Sequence, residues 1–195
     1  MNKYLILSSL MGAGKDSVAR KLIKDYGFKS GISHATRPMR SGEINGVDYF
    51  FVTKDKFHDM INNGEFVETR SYITKVEHEG RQTTDMWWYG LSKQQIMDRK
   101  KPIVLILDKQ GAEDFINYVG EDSVVWVLLE CDEGILRQRA LNRGDYEDEI
   151  SRRFKADKRS FKGIENCVHS VINTEMELDR VVESVKGVYD YYNGL

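Results

Sequence analysis

A chain of 195 residues, 41% of them hydrophobic, is the size of one domain with a real core and room for small mobile subdomains. Lys and Arg number 29 against 31 Asp and Glu, a net charge of −2, so no overall basic field recommends nucleic acid as a partner; anion binding has to come from local arginine clusters. No apolar run approaches ~20 residues and the N-terminus lacks a signal-peptide pattern, which sets membrane and secreted classes aside and leads us to expect a cytoplasmic protein.

In chain order, the apolar run Tyr4–Leu7 predicts a buried parallel strand, followed by a small-residue loop from Ser8 to Gly14. Ala19, Leu22, Ile23 and Tyr26 then recur at helical spacing. Lys29–Ser33 is a second predicted strand. Thr53 is placed to cap a short helix whose apolar face holds Phe57, Met60 and Ile61, with Gly64 ending it. β-prone Tyr72–Val76 and Gln82–Trp88 flank a polar turn at Glu77–Arg81, the pattern of a hairpin. A helix over Lys93–Arg99 and a strand over Pro102–Leu107 follow, with Asp108 at that strand's C-terminal end, where open parallel sheets bind ligands.

A helix over Gly111–Tyr118 and a strand over Ser123–Leu129 come next. An arginine-rich helical stretch then runs to Phe161, broken at Gly144. Val168–Ile172 is the last predicted strand. Thr174 with Glu177 has the form of a capping box, opening a helix with the face Leu178, Val181, Val182, Val185 and Tyr189. Strands alternating with helices predict an α/β three-layer fold around a parallel sheet. Cys131 and Cys167 lack metal-type spacing and are expected to be reduced core thiols; the four histidines form no metal-ligand set.

The chemistry starts in the first loop. Strand, glycine loop and helix are the setting in which a Gly-Lys pair binds phosphate: loop N–H groups point inward, the helix N-terminus adds partial positive charge, and Lys15 reaches the outer phosphates. Against G-x-x-x-x-G-K-[ST], Ser9 stands at the first glycine and Asp16 at the Ser/Thr, with Ser17 next. The alternative is an incidental Gly-Lys in a plain strand–turn–helix. Further on, Arg37 and Arg40 sit three apart in a turn and Tyr49 follows the bend Gly42–Gly46. Two guanidinium groups and a phenol suit a phosphate dianion, although by itself such a loop is also what a solvated basic turn looks like.

Ser33-x-x-Thr36-Arg37-Pro38-x-Arg40-x-Gly42-Glu43-x-x-Gly46-x-Asp48-Tyr49-x-Phe51 resembles the GMP-binding segment of guanylate kinases. Glu65-Phe66-Val67-Glu68, Tyr89-Gly90, Asp108-x-Gln110-Gly111, Arg139-x-x-x-Arg143-Gly144, Arg153 and Val171-Ile172-Asn173 are similar to that family in the same order, over nearly the whole chain. The resemblance implies a P-loop NTPase fold: a core of residues 1–32 and 93–195, a lid at about 139–153, and a nucleoside monophosphate subdomain at 33–92 with an extended hairpin at 69–88. It implies ATP as phosphoryl donor with Mg²⁺, and GMP or dGMP as acceptor. Gly12, Ala13, Gly14, Lys15, Asp16, Ser17, Arg139 and Asn173 would bind ATP. Arg37, Arg40, Tyr49 and Tyr89 would hold the acceptor phosphate, and Ser33, Glu68 and Asp108 would face its base. Lys15, Arg37, Arg143 and Arg153 would stabilise the transferred group, in a reaction that asks for in-line positioning and charge neutralisation more than covalent chemistry. Closure of subdomain and lid to exclude water belongs to this expectation. Oligomeric state is not implied.

Three departures from the family pattern matter. Asp16 replaces the P-loop hydroxyl while Ile106 stands at the first acid of the family's D-x-D; Asp16 is expected to supply charge to the Mg²⁺ site, the alternative being a residue that merely favours the helix N-terminus. Leu91 follows Tyr89-Gly90 where a base-contacting hydroxyl is usual, which weakens the case for strict guanine selection. The segment 69–88 is longer than its counterpart and brings Trp87 and Trp88, either to stack in the acceptor pocket or to pack the subdomain's small core. The Gly-Lys-Asp loop is also similar to that of phage deoxynucleoside monophosphate kinases, which implies a broader acceptor range as an alternative. A non-catalytic, phosphopeptide-binding member of the family is a second, and a kinase of phosphorylated sugars a third; Glu68 and Asp108, placed to meet purine donors, speak against the last.

Overall fold

The first six residues of regular structure, Tyr4–Ser9, are buried on both faces, as a central parallel strand requires. This strand, β1, pairs in parallel with β7 (Ile103–Ile106) and β8 (Val124–Glu130). With β2 (Lys29–Gly31) and β9 (Ser170–Asn173) they form a five-stranded sheet in the order β2-β7-β1-β8-β9. The computed structural model describes residues 2–78, 81–142, 144 and 146–194. The chain divides into two compact units, Met1–Ser30 with Arg99–Leu195, and Gly31–Asp98.

In the first unit, α1 (Lys15–Tyr26) and α6 (Leu178–Asn193) cover one sheet face. Leu5, Leu7, Val125 and Val127 pack there with Leu22 of α1 and Val181 of α6. Side-chain alternation sends Tyr4 to the opposite face, where its ring meets Phe115 of α3 (Lys109–Val119) edge-on at 5.1 Å. Helices on both faces of a parallel sheet make the three-layer α/β fold that the alternation of strands and helices predicts. Two polar side chains of this core pair in a chain: the Trp126 indole N–H donates to Ser8 Oγ (2.8 Å), whose hydroxyl donates to the Leu107 carbonyl (2.6 Å). α4 (Glu133–Asn142) and α5 (Glu147–Ser160) follow β8, and Gly144 between them has φ +92°.

The unit Gly31–Asp98 holds a mixed four-stranded sheet in the order β4-β3-β6-β5, made of β3 (His34–Ala35), β4 (Phe50–Phe51), β5 (Phe66–His78) and β6 (Arg81–Ser92). α2 (Lys54–Asn62) is capped by Thr53, whose Oγ1 accepts the Lys56 N–H (3.2 Å), and it buries Phe57 and Met60. Phe57 stacks on Phe66 at 4.5 Å, and Trp88 lies against Phe57 and His58. Trp88 therefore packs this unit's core, while the Trp87 indole N–H is taken by Asp85 (3.1 Å).

Several local expectations are corrected. The hairpin strands run to His78 and from Arg81, past the predicted turn limits at Glu77–Arg81, because cross-strand pairing continues in register to His78↔Arg81. The helix expected over Lys93–Arg99 is one 3₁₀ turn, Lys93–Ile96. No capping box forms at Thr174: its hydroxyl is buried and donates to the Glu130 carbonyl (3.1 Å), and Glu177 is the residue before α6. Tyr26 and Leu178, expected on helix core faces, are exposed; both are end residues of their helices, where the apolar stripe has no further turn to pack with. Cys131 is half-buried and Cys167 exposed, so the second is no core thiol. Among the described residues, no helix is long and apolar enough to cross a membrane.

Candidate active site

The loop between β1 and α1 is shaped by glycine. Gly12 (φ +82°) and Gly14 (φ +85°) take the left-handed conformation, and a Cβ on Gly12 would come within 3.1 Å of the Leu136 carbonyl oxygen. Gly14 leads directly into α1, whose first turn bears Lys15, half-buried, and Asp16 and Ser17, both exposed. Arg139 reaches over from α4 and donates to the carbonyls of Gly12 (3.5 Å) and Thr174 (3.1 Å). A cavity of about 390 Å³ is lined by Gly12, Ala13, Gly14, Ser17, Arg139 and Thr174, bringing the glycine loop and an arginine of α4 together. Such a loop at a helix N-terminus is an anion cradle.

A residue that sequence reading missed sits at this loop. Asp157 of α5 accepts the Met11 N–H on Oδ2 (3.2 Å). Burial raises its pKa above the usual carboxylate range, and the Met11 N–H, Lys15 and Arg153 pull in the opposite direction. The charges of Lys15 and Arg153, both expected to act on the transferred phosphate, are thus both felt by one carboxylate beside the loop. The sequence offered one faint signal, the i, i+4 spacing of Arg153 and Asp157 on a helix.

Other expected residues fall elsewhere. Asn173 exchanges hydrogen bonds with Glu175 and lines a different cavity, of about 560 Å³, with Leu10, Glu130 and Cys131. Asp108 caps α3, Oδ1 accepting the Gly111 N–H (2.9 Å). Arg143 lies outside the described residues. Among those described, no group of three or more His, Cys, Asp or Glu could hold a metal. Asp16, exposed in the first turn of α1 two residues after Gly14, nevertheless fits Mg²⁺, which commonly takes one or two carboxylates and completes its shell with substrate phosphates and water.

In the unit Gly31–Asp98, the TRPMR turn is held by its own side chains. Arg37 is buried and its fork is held by Glu43, Nη1 to Oε2 at 2.6 Å and Nη2 to Oε1 at 2.5 Å, with Nη1 also donating to the Pro38 carbonyl (2.9 Å). Glu43 further accepts the Arg40 N–H (2.7 Å). Burial works against both charges, yet the pairing wins: it raises the Arg37 pKa and lowers that of Glu43. The guanidinium also lies over the rings of Tyr49 (5.1 Å) and Phe51 (5.2 Å), and Tyr49 touches Tyr89 edge-on at 5.9 Å. Arg37, Tyr49 and Tyr89 are thus one cluster, while the Arg40 side chain stands exposed beside it.

Ser33 and Glu68 are both buried. Gly90 is obligatory here, since a Cβ on it would fall 2.9 Å from the Phe66 ring and 3.0 Å from the Glu68 carbonyl oxygen. Leu91, opposite Glu68 in the ladder, is fully buried. Sequence reading also missed Arg70, whose Nη1 donates to Glu68 Oε2 at 2.6 Å. Its signal was the i, i+2 spacing that puts two residues on one strand face.

A glycine loop closing a parallel strand onto a helix, with an arginine of α4 on its cavity, has the form of a P-loop phosphotransferase, and the second unit carries a separate arginine–tyrosine cluster. The family model for guanylate kinase matches residues 1–192. A guanylate kinase of Clostridioides difficile is 29% identical over 98% of this chain and 92% of its own length, and one from Legionella pneumophila (strain Lens) is 35% identical over 76% of this chain and 66% of its own. Among solved structures, a guanylate kinase from Anaplasma phagocytophilum superposes with a TM-score of 0.72 at 24% identity, over 98% of this chain and 86% of that one. A Sinorhizobium meliloti gluconokinase shares the fold alone, with a TM-score of 0.53 at 11% identity over 98% of this chain and 94% of that one. The chain belongs to the guanylate kinase family, and it is a nucleoside monophosphate kinase.

Proposed function

We infer that the chain transfers the terminal phosphoryl group of ATP to the phosphate of GMP or dGMP. The observation that carries the acceptor half is the buried Arg37 cluster: a guanidinium fork fixed by Glu43 and walled by Tyr49 and Phe51 is preorganised for a phosphate dianion. Arg40 and Tyr89 complete that phosphate site, and Ser33, Glu68 and Asp108 face the base. A carboxylate accepts both guanine N1–H and its exocyclic amine, a donor pair that adenine lacks.

On the donor side, the N–H groups of Gly12, Ala13 and Gly14 and the ammonium of Lys15 receive the ATP phosphates, Ser17 stands by them, Arg139 lies over those phosphates, and Asn173 lies beside the adenine. Asp16 would hold Mg²⁺, which when bound neutralises phosphate charge. Lys15, Arg37, Arg143 and Arg153 stabilise the charge spread over the transferred group. The acceptor phosphate is already an anion, so the reaction asks for no general base.

The test is coupled-assay turnover with ATP and Mg²⁺ over the ribo- and deoxyribonucleoside monophosphates. Turnover with GMP and dGMP is expected. Stabilisation by GMP with turnover on no acceptor would refute the kinase reading and support a non-catalytic binding member of the family.

A further inference from the structure

Asp157, the α5 carboxylate beside the glycine loop, stands next to the place where the proposed function puts an anion. Its Oδ2 accepts the Met11 N–H at 3.2 Å, one residue before the three N–H groups assigned to the ATP phosphates. The contact is built into the fold. Met11 and Ala13 of the loop are buried in one apolar cluster with Leu136 and Ala140 of α4 and Ile150 and Phe154 of α5, so this flank of the loop lies against the helix that carries Asp157. Phe154 and Asp157 are three residues apart, which sets them on one side of that helix.

The charges around Asp157 are those a phosphate would call on. Burial works hardest against its ionised form; the Met11 N–H, Lys15 and Arg153 favour that form, and Asp108, the cap of α3, opposes it. N–H donors, a lysine and an arginine are also what neutralises a phosphoryl group in transfer. The carboxylate and the ATP phosphates therefore draw on the same two cations. Their like charges repel, and more strongly at a half-buried position than in open water. The two sides of the contact are not equally movable. The loop is held by left-handed φ values at Gly12 and Gly14, whereas a carboxylate leaves by rotating about its own side-chain bonds.

We propose that Asp157 is a positioning residue of the donor site: it serves the Met11 N–H, Lys15 and Arg153 as an internal stand-in for phosphate, and ATP displaces it. The proposal rests on the glycine loop and Lys15 receiving the ATP phosphates. Displacement ties donor binding to α5. Lys15 and Arg153 exchange the carboxylate for phosphate oxygens, so both engage the transferred group only when ATP is in place.

The experiment measures Kd for ATP by isothermal titration calorimetry, in EDTA and in Mg²⁺, with the wild type, Asp157→Asn and Asp157→Ala. Asparagine keeps a carbonyl for the Met11 N–H and loses the charge; alanine loses both. Asp157→Asn should bind ATP about 5- to 50-fold tighter than the wild type in EDTA, and Asp157→Ala at least as tightly as the wild type. A residue that only shapes the loop loses affinity when removed and gains none. In a crystal structure of the wild type with a non-hydrolysable ATP analogue, the Asp157 carboxylate should lie beyond hydrogen-bond distance of the Met11 nitrogen. Asp157→Asn binding no tighter, or Asp157→Ala binding more weakly than the wild type, would overturn the proposal. So would variants weakened in Mg²⁺ alone, the mark of a metal ligand, or a carboxylate still on Met11 beside the bound analogue. A wild type that binds no ATP would instead refute the proposed function. If Asp157→Ala does not fold, Asp157→Asn and the analogue complex decide the matter.

Discussion

Removing the Glu43 carboxylate is the most direct probe of the proposed acceptor site. In Glu43→Ala, Arg37 keeps its burial, with a side chain 3% exposed, and loses two charge-assisted hydrogen bonds at 2.6 and 2.5 Å. The Arg40 N–H loses its acceptor as well. Breaking a buried ion pair by deleting one partner costs about 3–5 kcal/mol, because the survivor is left uncompensated. Glu43 itself is 18% exposed, so water can re-enter on its side and the lower end, about 3 kcal/mol, is expected. For a chain of this size that lowers Tm by about 6–12 °C.

The lost anion can be replaced. GMP, or inorganic phosphate at higher concentration, brings oxygens to the same guanidinium, so the ligand-induced rise in Tm should be larger in Glu43→Ala than in the wild type. Glu43 has a lowered folded pKa, so its contribution is present above the unfolded value, about 4.3, and is lost as pH falls through the folded one. The gap between the two melting curves should therefore close in acid. Differential scanning calorimetry with and without GMP measures all three effects. A Glu43→Ala protein that melts within a degree or two of the wild type, or gains no more from GMP, would refute the argument that Arg37 is held for an anion by its pairing.

Gly90→Ala should cost about 1–3 kcal/mol, since its methyl group meets the Phe66 ring and the Glu68 carbonyl at 2.9–3.0 Å; KM for GMP should rise in steady-state assays while equilibrium ATP binding is unchanged. Asp157 has a raised folded pKa, so its contribution is full below the unfolded value and lost as pH rises through the folded one. Asp157→Asn should accordingly raise Tm at neutral pH, with the advantage vanishing near pH ~4, as paired thermal melts would show. His34 is half-buried with a lowered pKa, chiefly from burial, and its Nδ1 makes no hydrogen bond. Its contribution holds above ~6.5 and is lost as pH falls through the folded value, so amide protection factors in residues 31–98, taken against the intrinsic rate at each pH, should fall in acid for the wild type and less so for His34→Gln.

What the sequence discloses follows from how local each feature is. β1 and the glycine loop are legible because a buried parallel strand is a plain apolar run and a phosphate loop is a contiguous motif. The Thr53 cap is legible for the same reason: donor and acceptor lie three residues apart. Thr174 shows the limit, since a hydroxyl with the spacing of a capping box bonds a carbonyl 44 residues away. Asp157 and Arg70 are also long-range features: one meets a loop 146 residues distant, and the other matters through rings on the paired strand. Burial is the second blind spot. Nothing in TRPMR says that Arg37 is buried while Arg40 is exposed; that follows from Tyr49, Phe51 and Glu43 folding around the first guanidinium.

The two nucleotide sites differ in how they can change. A phosphate cradle made of backbone N–H groups depends on φ values at Gly12 and Gly14, so it tolerates side-chain variation such as Ser9 and Asp16 while its anion chemistry persists. The proposed acceptor site is made of side chains that also contact one another: Arg37 with Glu43, Arg70 with Glu68, Tyr89 with its neighbouring rings. There, one substitution re-pairs the group beside it and alters what the site recognises, without disturbing the backbone. Any difference in acceptor choice between this chain and its relatives should therefore trace to side chains of the unit Gly31–Asp98, such as the buried Leu91, and the donor half should stay selective for ATP whichever monophosphate is accepted.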